Sequence, residues 1–139
     1  MANNNLTLES VRDKLVLNGI DVNKLISDHS LIFIDSKQWY LSEGKVNREG
    51  IKKQWLELVD KSLSIGKKGL RAFCMTDTFF DHNLIDEVVD YESEYPPKFD
   101  FNLLAVCAYS QKKMDKLFLK QKERLIAAHG HVWIPQVAV

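Results

Sequence analysis

Apolar residues alternate with polar ones along this chain in two different rhythms, and the rhythms predict the elements. Residues 70–75, entered through Gly66 and Gly69, form a short apolar run of the kind expected for a buried parallel strand. Residues 31–35 (Leu31-Ile32-Phe33-Ile34-Asp35) and 102–109 (NLLAVCAY) read the same way, and residues 131–134 suggest a short final strand stopped by Pro135. Helical spacing fills the intervals. It is carried by Leu8, Val11, Leu15 and Val16 up to Asn18-Gly19; by Val22, Leu25 and Ile26 behind the N-cap candidate Asp21; and by Ile51, Trp55, Leu58, Val59 and Leu63 behind Asn47. A further helix is expected from Asp81 or His82 to Tyr95, ended by Pro96-Pro97. A last one runs from Ser110 to His129, with Met114, Leu117, Phe118, Leu125 and Ala128 inward. The alternation predicts an α/β three-layer sandwich, with a small, mostly parallel sheet of three to four strands flanked by helices.

Length and composition narrow this further. A chain of 139 residues fits one domain, and Met1 to Asn5 is polar enough to fray. Nineteen basic residues balance 19 acidic ones, so no global field draws the chain to nucleic acid or an anionic membrane. The longest apolar run falls short of the ~20 residues that a spanning helix needs. Cys74 and Cys107 sit in strand-like runs without CxxC spacing, and a cytoplasmic protein with reduced thiols is expected.

The polar residues sort to the two ends of the expected sheet. Asp35, Ser36, Trp39, Thr76, Asp77, Thr78, Tyr109 and Ser110 gather where strands end, the place at which open parallel sheets bind ligands. Hydroxyls, carboxylates and an aromatic wall there suit a small molecule. The same residues also serve as helix caps and core edge, with Asp77 and Ser110 capping and Trp39 packing. At the opposite end, an Arg71–Glu92 ion pair with Tyr91 beside it is expected to hold the fold.

Other signals are weaker than they look. Gly66-Lys67-Lys68-Gly69 ends a helix and opens a strand, the reverse of a phosphate loop. His129 and His131 lack further ligands at a recognisable spacing, so neither a metal nor a cofactor is expected. Lys112, Lys116, Lys120 and Arg124 recur every four residues, which describes the wet face of a helix. An enzyme using Asp77 with His82 or Tyr109 is the weakest reading, since no nucleophile, base and oxyanion donor can be named together.

Trp39-Tyr40-Leu41 with Gly44, Trp55, Gly66, Gly69-Leu70-Arg71, Tyr91-Glu92, Cys107 with Tyr109, and His129 follow one another in an order that resembles the methanogen/methylotroph sensory (MEDS) domain family. The resemblance covers roughly residues 15–135. It implies a RecA/KaiC-like core without a working nucleotide loop, and a non-enzymatic sensory role in signal transduction or transcriptional regulation. Phe79 stands where the family has a tryptophan. An amino-terminal section that the family carries is expected to be missing from this chain. A sheet left uncovered in that way predicts a homodimer or a regulatory protein partner.

Overall fold

The computed structural model describes residues 7–134, so the expectations for Met1 to Asn5 and for Pro135 lie outside the described residues. The chain divides into two compact units, one ending at Trp39 and the other beginning at Tyr40.

The first unit holds two complete helices, both begun by the local chemistry their sequences carry. Thr7 and Ser10 cap α1 (Leu8–Leu17) reciprocally, each hydroxyl accepting the other's backbone N–H, and Gly19 leaves it at φ 79°. Asp21 Oδ1 accepts Lys24 N–H at 3.0 Å to start α2 (Val22–Ser27). Residues 31–35 belong to neither sheet, which corrects the expectation of a first strand. An apolar run of five residues satisfies a strand pattern, but only a partner turns it into a ladder. A short helix, α3 (Ser36–Tyr40), follows at once and carries the chain across the unit boundary.

In the second unit, β1 (Leu41–Ser42) and β2 (Lys45–Val46) make an antiparallel hairpin. Its turn residues Glu43 and Gly44 both have positive φ, 51° and 76°, as a tight two-residue hairpin turn requires. Asn47 Oδ1 accepts Gly50 N–H and opens α4 (Arg48–Ser64), which buries Ile51, Trp55 and Val59. The chain then reaches β3 (Leu70–Met75) through Gly69, at φ 134°. A Cβ on Gly69 would stand 2.5 Å from the carbonyl oxygen of Asn102, the group that accepts Leu70 N–H.

The stretch expected as one helix is two, α5 (Asp77–Asp81) and α6 (Ile85–Glu94), because Asn83 turns left-handed at φ 57° between them. Tyr95, extended at ψ 139° before the two prolines, ends α6. β4 (Leu103–Ala108) pairs parallel with β3, placing Cys74 opposite Cys107. The last helix is likewise divided, into α7 (Gln111–Met114) and α8 (Leu119–Ala128). Leu117 and Leu125 are buried as expected, whereas Phe118 is exposed and its backbone N–H is capped by Gln121 Oε1 at 2.8 Å.

Among the described residues the parallel sheet therefore has two strands, not three or four, since residues 31–35 and 131–134 lie outside it. α6 covers one face with Val88, Val89, Tyr91 and Glu92, and it is flanked by α4 through Arg48–Glu94 and by α8 through Arg124–Asp90. The other face carries Phe73, Leu104 and Val106 at 67%, 60% and 51% exposure, so among the described residues no layer of the second unit covers that side.

Candidate functional site

Two groups of polar residues form in the second unit, and they share the carboxyl half of β3 and β4. The first lies at the strand ends. Thr76 is fully buried and ties the strands together, its N–H and its hydroxyl both donating to the Ala108 carbonyl, the hydroxyl at 2.9 Å. Asp77 follows as the first residue of α5, and the Ser110 hydroxyl donates to its Oδ1 at 3.4 Å. Ser110 stands at the N-cap of α7, but its hydroxyl makes no capping bond and turns to Asp77 instead. Thr78 is half-buried beside them in the first turn of α5. This edge thus brings Thr76, Asp77, Thr78 and Ser110 together. Asp35, Ser36 and Trp39 belong to the first unit, where Asp35 Oδ1 accepts Gln38 N–H at 3.0 Å and so starts α3.

Tyr109 departs from the edge. Its ring meets Phe80 edge-on at 6.4 Å, and its hydroxyl is buried beside Glu92 and Thr76 without reaching hydrogen-bond geometry to either. It belongs to the second group, an interior cluster beneath the sheet.

Glu92 is the centre of that cluster. It sits about two turns into α6 and is 7% exposed. Its Oε2 lies 3.8 Å from Cys107 Sγ, within reach of an S–H donor, and 3.7 Å from His129 Nε2. The expected Arg71–Glu92 ion pair does not form. The left-handed break at Asn83 delays the start of α6, so Glu92 returns level with Cys107, while strand alternation turns Arg71 to the exposed face. His129 arrives from the end of α8, where its Nδ1 lies 2.7 Å from the Leu125 carbonyl. That carbonyl can only accept, so Nδ1 carries the proton and Nε2 faces Glu92.

The electrostatics follow from burial. Desolvation pushes the Glu92 carboxyl above the ordinary range, opposed by the nearby His129 imidazole, Cys107 thiol and Tyr109 hydroxyl. A hydrogen bond to Cys74, reinforced by burial and the nearby carboxylate, raises the Cys107 thiol, so Cys107 acts as a donor at neutral pH. Burial likewise raises the phenols of Tyr40, Tyr91 and Tyr109. Tyr40, Phe79 and Tyr91 pack against one another with ring centroids 4.8–6.0 Å apart, and the series runs on through Tyr95 and Phe99 to Phe101. The last three rings line an open cleft of about 410 Å³ with Arg48, Lys52, Glu94 and Asp100, at the amino end of the sheet.

The sequence reading missed this cluster. Glu92, Cys107 and His129 come from a helix, a strand and a helix end, with no common spacing. The one available signal was that all three stand among the residues that carry the family resemblance.

A parallel strand pair with helices on one face and polar groups at its carboxyl end defines a mixed α/β module. The family match specifies the kind: residues 1–125 match MEDS, the methanogen/methylotroph, DcmR sensory domain, and the chain belongs to that family. MEDS is a sensory type of domain. No curated protein and no solved structure matches the chain. Among the described residues no helix is long and apolar enough to cross a membrane.

Proposed function

We propose that this protein is a non-enzymatic sensory module that binds a small molecule at the carboxyl edge of β3 and β4 and passes the signal on in transduction or transcriptional regulation. The observation that carries the reading is the meeting of Asp77 and Ser110, half-buried groups from the ends of neighbouring parallel strands, in a chain of a sensory family. Thr78 adds a hydroxyl, and buried Thr76 holds the two strand ends in place. A ligand acts as a signal there only if it binds two states of the module with different affinity. The module works in the cytoplasm, where its two unpaired cysteines stay reduced.

Native mass spectrometry of gently purified protein tests this. A reproducible bound mass that is lost in Asp77→Asn, with no turnover of the released compound, supports the sensor; a bound mass retained in that variant rejects the edge as its site.

The bare outer sheet face supports a second reading, an interaction module that works as a homodimer or against a regulatory protein. Three large apolar side chains on adjacent strands make a contiguous patch, the usual mark of a protein contact. A ligand-free dimer in the same spectra favours this reading.

A further inference from the structure

We infer that Glu92, Cys107 and His129 form a binding site for a divalent transition-metal ion, with zinc the best match to the donor set. This goes beyond the sensory reading and holds whether or not the carboxyl edge takes a ligand.

The argument begins with distances. One donor atom from each residue lies within 4.8 Å of the other two, and the Glu92 oxygen is 3.8 Å from the sulfur and 3.7 Å from the imidazole nitrogen. Zinc bonds of about 2.0–2.3 Å in tetrahedral geometry place ligand atoms about 3.3–3.8 Å apart. Two edges of the triangle therefore have the required length already, and the third closes with a small adjustment at His129.

The donors are also the right ones. Sulfur, imidazole nitrogen and carboxylate oxygen together suit zinc and not magnesium or calcium, which prefer oxygen alone. The imidazole is prepared in the way metal-binding histidines are, since the Leu125 carbonyl takes the Nδ1 proton and leaves the Nε2 lone pair facing the other two donors. Burial separates this group from an ordinary acidic surface cluster. Glu92 is 8% exposed at its side chain and His129 23%, so the carboxylate is fixed in the interior while the imidazole side remains open to entry from solvent.

Without a metal, the buried Glu92 carboxyl has only long contacts to the other two donors, at 3.7 and 3.8 Å, and the Tyr109 hydroxyl beside it is buried without a well-formed hydrogen bond. Unsatisfied buried polar groups of this kind are costly, and a cation among them removes the cost. The ion displaces the Cys107 proton to solvent and binds the thiolate. Three protein donors leave the fourth tetrahedral position for water or another small ligand.

Cobalt(II) is the probe. The full chain, reduced and stripped with a chelator, is titrated with cobalt, and zinc is then added in competition. A thiolate-to-cobalt charge-transfer band that saturates at one ion per chain and is displaced by zinc is the expected result. Cys107→Ser should abolish the band, and His129→Gln should weaken binding on the order of 100-fold or more, since even residues behind the ligands are worth 10–100-fold. Cys74→Ser and Asp77→Asn should keep it, which separates this site from the carboxyl edge. Zinc should also raise the thermal midpoint of the native chain and leave that of Cys107→Ser unchanged. Absence of the band in the folded native chain overturns the inference, as does a band that survives Cys107→Ser.

Discussion

On one face of the β3–β4 sheet, Cys74 and Cys107 lie beneath α6, against Glu92, Tyr40 and Tyr91; on the other, Phe73, Leu104 and Val106 point outward and are exposed, with no described helix of the second unit over them. Alternate residues of the same two strands build both faces, and both are apolar. The difference is what each one is given to pack against. The covered face is where the chain concentrates aromatic contacts and buried ionisable groups, and is therefore where chemistry and stability are coupled. The exposed face contributes little to the stability of the isolated chain.

The largest expected effect is on the covered side. Phe79 is fully buried and touches both Tyr40 and Tyr91, so Phe79→Ala should destabilise by about 3–5 kcal/mol, read as a lower midpoint in urea unfolding. A loss below about 1 kcal/mol would show that the aromatic group is not the core. Gly69→Ala comes next. Its added Cβ meets the Asn102 carbonyl, and φ 134° suits glycine alone, so a loss above about 1 kcal/mol is expected in the same assay.

Alkaline titration tests the covered face through its phenols. Burial raises Tyr40, Tyr91 and Tyr109 above their unfolded value, so the folded chain keeps protons that the unfolded chain releases from about pH 10 upward. Their contribution is fully present below that pH and is lost as pH rises toward the folded values. Phenolate absorbance should therefore develop together with unfolding and not ahead of it. Gradual ionisation in a chain still folded by circular dichroism would contradict the burial.

The smallest effect on stability belongs to the bare face. Phe73→Lys should change the free energy of the isolated chain by no more than ~0.5 kcal/mol, as exposed substitutions do. It should nonetheless convert a dimer to monomer in light scattering, if that face is the contact. A large destabilisation of a chain that is monomeric throughout would mean that the two faces are not as different as described.

Helix starts were the most legible part of the chain. Asp21 and Asn47 cap the helices expected of them because a short acceptor side chain and the next turn's N–H suffice, and these lie within four residues. The parallel strands at residues 70–75 and 102–109 were also readable, as continuous apolar runs between helical stretches. Residues 31–35 and 131–134 are also largely apolar and make no ladder, because pairing depends on what lies alongside. At the candidate sites, Asp77 and Ser110 were legible from their place after the strands, whereas His129 looked like an isolated helix-end histidine.

The sequence by itself determined where α2 and α4 begin and that residues 70–75 and 102–109 hold strands; each of these rests on capping chemistry or on periodicity within a few residues. Tertiary structure alone decided that Glu92 meets Cys107 and His129 and not Arg71, and that one apolar sheet face is covered while its twin is left bare. The left-handed turn at Asn83 sets how far α6 returns along the sheet, and that distance chooses the partners of Glu92.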